Sequence, residues 1–207
     1  MIKIENHQVY GWEAAIRGAR NPMNSWNQSD TSYGTGEPVT EIGPRDLKLL
    51  RNLANAGPDH GKFLRMITVT MDITAMQPWW AEFDTYKVGT VRNSCSKMHK
   101  IHIKPFTIDD FAHEGCDEIP WARVALERVV LACEKLRQRF NETQDKKYWR
   151  ALIELLPEGY LMRATVQLNY AVLRAMYHAR KNHKLDEWRD FCRFVESLPY
   201  AQELIIA

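Results

Sequence analysis

The sequence lacks most of the features that assign a chemistry directly. No stretch of its 207 residues approaches the roughly 18 consecutive apolar residues of a membrane-spanning helix. It contains no GxGxxG, P-loop or GxSxG motif, which removes the usual signatures of dinucleotide-binding folds, P-loop nucleotidases and serine hydrolases. The formal net charge is +2, without a run of like charges. We therefore expect neither a membrane nor a nucleic-acid partner.

Cysteine is also scarce and shows no pairing pattern. The four cysteines, with no CxxC among them, are Cys95, Cys116, Cys133 and Cys192. Such a set is typical of free thiols in a reducing compartment. The first residues, MIKIENHQ, have no apolar core of a signal peptide. These observations predict a cytoplasmic protein.

Length and composition fit one large or two small globular domains. With 45% hydrophobic and 26% charged residues, a chain of this size buries roughly 70% of its unfolded surface. We expect a single domain over 1–207, with a loop at 21–43, a pocket-forming stretch at 60–104 and a helical C-terminal part at 120–207. The loop is rich in Asn, Ser, Thr, Gly and Pro, and loops of this length are usually functional or disordered.

The stretch 60–104 is the starting point for predicting the fold. Apolar residues at 67, 69, 71 and 73 alternate with polar ones, which predicts a half-buried strand. Pro78 then favours a helix start, with Trp79 and Phe83 at helical spacing. A small polar loop follows Gly89, and the alternation of Ile101 and Ile103 indicates a further strand.

The C-terminal part shows helical patterns. These are Pro120–Phe140, Tyr148–Leu156, a long and mostly apolar helix Tyr160–His178, and an amphipathic helix from Trp188 to Val195. The segment Val166–Met176 has apolar residues on more faces than one small domain readily covers. This excess of apolar surface indicates an oligomer interface. The whole pattern predicts a helix-rich α+β fold with a small, mostly antiparallel sheet.

Zinc-type ligands occur as His99, His102, His113 and Cys116, spaced H-x2-H-x10-H-x2-C. If Ile101 and Ile103 define a strand, however, His99 and His102 point to opposite faces. No CxxC supports the pattern either. We therefore expect no metal site.

Two further groups could bind a ligand. Residues of the 92–97 loop suit a phosphate: Arg92, Asn93, Ser94, Ser96 and Lys97. A solvated turn is the favoured alternative. Trp79 and Trp80 could stack on a flat ring, although aromatic residues at this spacing more often form core.

The apolar helix is interrupted by Asn169, Arg174 and Arg180. Buried polar side chains need partners, so these residues could face a ligand. Alternatively, the two arginines lie at the surface, with their stems covering apolar area.

Four segments together resemble the flavin-dependent thymidylate synthase family. They are VYGWEAAIRGARNPMNSW, HGKFLRMITVTMDI, YKVGTVRNSCSKMH, and LLPEGYLMRATVQLNYAVLRAMYHAR followed by DEWR. The third corresponds to the family motif RHRxxSxNxxSxRY. Ser96 falls at its second Ser, and Asn93 lies within one residue of a polar position.

The motif departs from the family at its arginines. Tyr86, Lys87 and Val88 replace the RHR triplet, and Met98 and His99 replace the closing Arg-Tyr pair. The family's helix motif T-x-N-x-R is matched approximately by Thr165 and Asn169. The expected Arg is Ala171, with Arg174 one turn further on.

The resemblance implies a fold, a cofactor and a set of site residues. It implies binding of FAD, near Tyr86, Lys87 and Asn169, and of a deoxyuridylate-like nucleotide, near Asn93, Ser96 and Arg174. It further implies a homotetramer. We also expect the 89–98 loop and the 160–180 helix to face a common pocket. The resemblance leaves two functions open.

The first function is that of an enzyme or nucleotide-binding protein that binds flavin, a deoxyuridylate-like nucleotide, or both, and whose methylation chemistry is changed or lost. The missing bidentate arginines are the reason, since a lysine is only a point charge toward phosphate. The second is a non-catalytic interaction protein that keeps the fold without the site.

Overall fold

A computed structural model describes residues 2–32 and 41–207. The strands of this described part are β1 (Lys3–Tyr10), β2 (Thr68–Met76), β3 (Val91–Ser94) and β4 (Leu161–Asn169). Its α-helices are α1 (Trp12–Arg20), α2 (Pro44–Asn55), α3 (Gln77–Phe83), α4 (Lys97–Lys100), α5 (Glu114–Asp117), α6 (Pro120–Thr143), α7 (Lys146–Leu155), α8 (Tyr170–Arg180) and α9 (Asp186–Glu196). None of the helices in these ranges is long and apolar enough to cross a membrane.

The four strands form one small antiparallel sheet in the order β1-β2-β4-β3. The predicted strand after His60 is β2. Its residues Val69, Met71 and Ile73 are at most 1% exposed, whereas the residues between them are half-buried. The helix-rich α+β prediction is confirmed.

The predicted long helix Tyr160–His178 is wrong in its first half. That half is strand β4, in which Met162, Ala164, Val166 and Leu168 are buried while the residues at 163, 165 and 167 are exposed. This period of two is the pattern of a strand. The helix α8 begins only at Tyr170. Its N-cap is Asn169, whose Oδ1 accepts a hydrogen bond from the backbone N–H of Val172 at 3.0 Å.

The predicted strand around Ile101 and Ile103 is a turn. Ile101 is buried in a core cluster, whereas Ile103 is 58% exposed. The carbonyl of His102 between them accepts hydrogen bonds from Arg137 at 3.2 Å and Asn141 at 3.0 Å. These side-chain donors on α6 occupy an acceptor that a strand would use in a ladder. The short strand β3 lies instead at Val91–Ser94, within the predicted polar loop.

The chain divides into two compact units, the first being Ile73–Thr85 and Asn93–Ala164 with the first residues of the chain. Trp79, Trp80 and Phe83 of α3 are fully buried in this unit. Trp80 Nε1 donates to the carbonyl of Met162 at 3.0 Å. The two tryptophans are therefore core residues, and the idea that they form a stacking platform is wrong.

The second unit consists of Ile4–Asp72, Tyr86–Arg92 and Thr165–Ala207. The apolar side chains of α8 are covered inside it, since Tyr170, Leu173 and Met176 have no exposed surface. The apolar faces of Val166–Met176 therefore do not require a second subunit. The reason given for an oligomer interface on this segment is wrong.

A buried ion pair shapes the described part of the predicted loop 21–43, whose residues 33–40 lie outside the described residues. Arg20 Nε lies 2.6 Å from Oδ1 of Asp46, and the two side chains are 4% and 0% exposed. Asp46 Oδ2 also accepts hydrogen bonds from Ser29 Oγ at 2.7 Å, from the backbone N–H of Asp30 at 3.1 Å, and from the N–H and Oγ1 of Thr31 at 3.0 and 2.7 Å. The carboxylate thus fixes the loop against the start of α2.

Candidate functional site

A cavity of about 390 Å³ lies in the second unit, between the end of α2, the turn that follows it, and α8. Its lining combines small apolar residues with a few polar side chains. The apolar and glycine residues are Ala54, Gly57, Pro58, Gly61, Leu64, Ala171 and Ala175, and the polar ones are Asn55, Arg65, Arg174 and His178. This combination is typical of small-molecule sites.

The turn after α2 brings the first wall into place. Gly57 has a φ of 104°, a left-handed conformation that favours glycine. Its carbonyl accepts hydrogen bonds from the N–H groups of His60 at 3.1 Å and Gly61 at 2.9 Å. A 3-10 helix over Gly61–Arg65 follows, and it carries Leu64 and Arg65 to the cavity.

The second wall is one stripe of α8. Ala171, Arg174, Ala175 and His178 follow at intervals of three, one and three residues, which places them on the same face of a helix. Because alanine side chains are small, the two alanines make this wall flat. The arginine and the histidine supply its polar groups.

Arg174 is tied to its own chain by three hydrogen bonds. Its Nη1 donates to the carbonyl of Leu204 at 2.9 Å, and its Nη2 donates to Oδ1 of Asn55 at 3.0 Å and to the carbonyl of Ala207 at 2.7 Å. A guanidinium has five N–H groups, so these bonds leave two for a ligand. They also fix the orientation of the cation.

His178 and Arg65 complete the polar set. His178 Nε2 lies 3.1 Å from the carbonyl of Ile205. Because a carbonyl only accepts, Nε2 carries the proton in this contact. Arg65 is exposed and forms no ion pair within the described part of the chain. Two guanidinium groups and an imidazole at an apolar cavity suit an anion attached to a flat apolar body.

Asn169, one of the expected flavin-binding residues, lies at the start of α8 and next to Gly89. Gly89 has a φ of 80°, and a Cβ built on it would lie 2.8 Å from Asn169 Nδ2 and 3.2 Å from Val172 Cγ2. The segment Tyr86–Arg92 therefore packs closely on the N-terminus of α8. Only a glycine fits this contact without displacement.

Tyr86 and Lys87 lie on the same segment. Tyr86 is half-buried, and its hydroxyl accepts a hydrogen bond from Arg180 Nε at 3.0 Å. The Arg180 guanidinium carbon also lies 4.9 Å from the centre of the Trp188 ring. Lys87 is exposed. Tyr86 and Arg180 are therefore in contact within the second unit, although the sequence placed them in two different groups of candidate residues.

Asn93 and Ser96, two of the expected nucleotide-binding residues, lie in the first unit. Asn93 is an exposed residue of β3. Ser96 is the N-cap of α4, and its Oγ accepts a hydrogen bond from the backbone N–H of His99 at 3.2 Å.

The histidines and Cys116 of the suggested zinc pattern do not form a ligand cluster. Among residues 2–32 and 41–207, no three His, Cys, Asp or Glu side chains are arranged to hold a metal ion. His113 Nδ1 lies instead 2.7 Å from Asp117 Oδ2. The hydrogen bond from His113 has the largest effect on the pKa of Asp117, and together with a hydrogen bond from Arg123 it holds that pKa below its usual value.

Three polar residues of the cavity were not predicted from the sequence, namely Asn55, Arg65 and His178. His178 follows Arg174 by four residues on the same helix, so the stripe of small and polar residues on α8 was a signal that could have found it. Asn55 and Arg65 lie on either side of a turn. No periodic pattern links them to α8.

The sequence matches no protein-family model and no curated protein. Two solved structures are similar in fold along nearly the whole chain. One is the flavin-dependent thymidylate synthase ThyX from Helicobacter pylori complexed with FAD and dUMP, with a TM-score of 0.70, 17% identity, and coverage of 98% of this chain and 97% of that chain. A second structure of ThyX from the same organism, also with FAD and dUMP, has a TM-score of 0.69 and 18% identity over 99% of this chain and 97% of that chain. The chain therefore has the fold of a flavin-dependent thymidylate synthase.

Proposed function

We propose that this chain binds FAD and a deoxyuridylate-like nucleotide, and that the cavity beside α8 takes part in this binding. The observation that carries the proposal is the set of Arg65, Arg174 and His178 around an apolar cavity of about 390 Å³. The fold supports it, since the two similar ThyX structures carry the same two ligands.

The residues of the cavity fit such ligands chemically. Arg65 and Arg174 would bind a phosphate through charge-assisted hydrogen bonds. The wall of Ala171, Ala175 and Leu64 would lie against a flat ring. The volume is near the lower end of the range for small-molecule pockets, which suits a mononucleotide or one half of a dinucleotide.

The remaining site residues belong to the same proposal. Lys87 would add a charge toward phosphate, and Tyr86 and Asn169 would border the flavin. Asn93 and Ser96 would hydrogen-bond the nucleotide. When bound, the flavin would supply the hydride chemistry of a reductive methylation. We further propose that the protein is a cytoplasmic homotetramer.

Arg65 provides the sharpest test, because it forms no ion pair within the described residues and its loss should leave the fold intact. One charged hydrogen bond contributes about 1.5–3 kcal/mol. Arg65→Gln should therefore raise the Kd for dUMP or FAD about 10- to 150-fold in calorimetric titration. The melting temperature without ligand should stay within about 1 °C, as expected for a surface substitution.

Lys62→Gln is the matched control, since Lys62 is an exposed cation of the same 3-10 helix that does not line the cavity. An equal loss of affinity in both variants would mean that only the general charge of the turn matters. Wild-type protein that binds neither ligand at millimolar concentration would overturn the proposal.

A second candidate function is that of a non-catalytic interaction protein. The observation that favours it is the use of polar groups inside the chain. Arg174 donates a hydrogen bond to the backbone carbonyl of Leu204. Asn169 and Ser96 each accept a hydrogen bond from a backbone N–H group of the chain. The same titration separates the two candidates.

A further inference from the structure

A second cavity, of about 510 Å³, lies along α2 in the second unit. It is called the α2 cavity below. One wall belongs to α2, and Glu203 lines the other from a π-helical turn over Gln202–Ile206. The residues that α2 contributes are Pro44, Leu47, Lys48, Arg51 and Asn52. None of the residues around this space lines the cavity beside α8. The α2 cavity is therefore a separate space with its own polar groups.

The wall formed by α2 is one face of that helix. Its five residues follow each other at intervals of three, one, three and one, which places them on the same side. The buried residues Asp46, Leu50 and Ala54 lie on a different face and form the contacts of α2 with the core. Packing of the helix therefore does not depend on the cations that line the cavity.

This wall carries positive charge that the described part of the chain does not neutralise. Lys48 and Arg51 are exposed, and neither forms an ion pair with any residue among 2–32 and 41–207. The one acidic side chain of α2 is Asp46, which is buried against Arg20. Two cations thus face the cavity from positions one helical turn apart.

The backbone donors at the start of α2 are already in use. The carboxylate of Asp30 accepts hydrogen bonds from the N–H of Arg45 at 2.9 Å and from the N–H of Asp46 at 3.0 Å. An anion in the cavity would therefore be bound by side chains and not by the end of the helix.

We propose that the α2 cavity is a second binding site, for a diphosphate ester whose organic part carries hydroxyl groups. Side chains three residues apart on a helix have Cβ atoms about 5–6 Å apart, so one diphosphate contacts both Lys48 and Arg51. Both contacts are charge-assisted hydrogen bonds, and the guanidinium can form two of them at once. The carboxylate of Glu203 repels phosphate but accepts hydrogen bonds, so it binds the hydroxyl groups. Leu47 provides apolar surface between the two ends.

Contacts of Arg174 separate this site from the cavity beside α8. Its Nη2 donates to Oδ1 of Asn55, one turn beyond Arg51 on α2, and its Nη1 donates to the carbonyl of Leu204, the neighbour of Glu203. These two hydrogen bonds join the two walls near the end of α2, where the first cavity begins. The second site therefore does not depend on the flavin and nucleotide binding proposed above.

Calorimetric titration of the purified chain with inorganic pyrophosphate, inorganic phosphate and ADP tests the site. The wild type should bind ADP more tightly than pyrophosphate, and phosphate at least about tenfold more weakly than pyrophosphate, because phosphate cannot engage both cations. Lys48→Gln and Arg51→Gln should each raise the Kd for pyrophosphate and for ADP at least about tenfold. Arg45→Gln is the matched control, since Arg45 is an exposed cation of α2 outside the cavity lining, and it should change Kd less than about threefold. The melting temperature of each variant should stay within about 1 °C of wild type.

Two further variants identify where the ligand lies. Glu203→Gln should strengthen pyrophosphate binding, because a repelling charge is lost, and reduce the preference for ADP. Arg65→Gln should leave the Kd for pyrophosphate unchanged, since Arg65 lines only the cavity beside α8. No flavin or dUMP enters these titrations, so their outcome is independent of the function proposed above.

Several results would overturn the second site. These are no binding of pyrophosphate or ADP at millimolar concentration, and equal losses in Arg45→Gln and Arg51→Gln, which would mean that only the general charge of α2 matters. A loss in Arg65→Gln without one in Arg51→Gln would place the diphosphate beside α8 instead. Phosphate that binds as tightly as pyrophosphate would overturn the diphosphate, and an unchanged ADP preference in Glu203→Gln would overturn the contact with the hydroxyl groups.

Discussion

Replacing Asp46 by Asn removes one charge from a fully buried ion pair. The substitution keeps the shape of the side chain but leaves the Arg20 guanidinium, which is 4% exposed, without its counter-charge. Burial alone would raise the pKa of Asp46, but hydrogen bonds from Thr31, Ser29 and Arg20 outweigh it and hold that pKa below its usual value. The carboxylate is therefore ionised at neutral pH, and its negative charge is what the variant loses.

The expected cost follows from this environment. Removing one partner of a buried ion pair costs about 3–5 kcal/mol. We expect the lower part of that range, because Arg20 also donates to the carbonyls of Ser25 at 3.2 Å and Gln28 at 3.1 Å. For a chain of this length the melting temperature should fall by about 2–4 °C per kcal/mol.

Calorimetric melting of Asp46→Asn measures this loss directly. The control is Glu13→Gln, which breaks the exposed pair between Glu13 and Arg17, whose side chains are 57% and 61% exposed. That exposed pair contributes only about 0.3–0.5 kcal/mol. If the two variants melt within about 2 °C of each other, the Arg20–Asp46 pair does not anchor the loop, because a buried pair should cost several kcal/mol more than the exposed one when it is broken.

Three further predictions concern single contacts. The hydrogen bond from Arg137 lowers the pKa of Glu134 from 4.5 to about 2. A lowered carboxyl pKa stabilises the folded chain above the ordinary pKa, and this stabilisation is lost as the pH falls toward the lowered value. The difference in unfolding free energy between wild type and Glu134→Gln should therefore be full above about pH 5 and fade toward pH 2. Gly89→Ala should destabilise the chain more than Gly57→Ala, because both glycines have positive φ but only Gly89 has a side-chain atom 2.8 Å from the added Cβ; equal losses in denaturant unfolding would contradict the contact. Asn169→Ala should cost about 0.5–2 kcal/mol and Asn169→Ser much less, since serine also caps helices; similar losses in both would show that the cap is unimportant.

The fold class was predictable because its strongest signals are local. The alternation from Ile67 to Ile73 defines β2, and Pro78 and Pro120 mark helix starts that the structure contains. Thr107 and Asp110, three residues apart, form a capping box around the 3-10 turn Ile108–Asp110. These features depend on neighbours in sequence.

The errors have identifiable physical causes. Leu161–Asn169 reads as apolar helix because Tyr170–Arg180 continues it without a break, although its burial alternates with period two. The turn at Ile101–Ile103 is set by Arg137 and Asn141, more than thirty residues away, so no local pattern reveals it.

The candidate site was only partly predictable from the sequence. Arg174 was proposed from its polarity within an apolar segment, and it does line the cavity. Asn55 and Arg65 reach the same cavity through the left-handed turn at Gly57. Their convergence on α8 is a tertiary contact that no spacing in the sequence encodes.

Binding of a flavin together with a deoxyuridylate-like nucleotide is the proposed function of this chain. The most direct measurement is the visible absorption spectrum of the purified protein, with mass spectrometry of released small molecules, before and after incubation with FAD and dUMP. We expect a protein-bound flavin band that survives gel filtration, shifts when dUMP is added and weakens in Arg65→Gln. A protein that stays colourless after incubation with both ligands at millimolar concentration would contradict the proposed function.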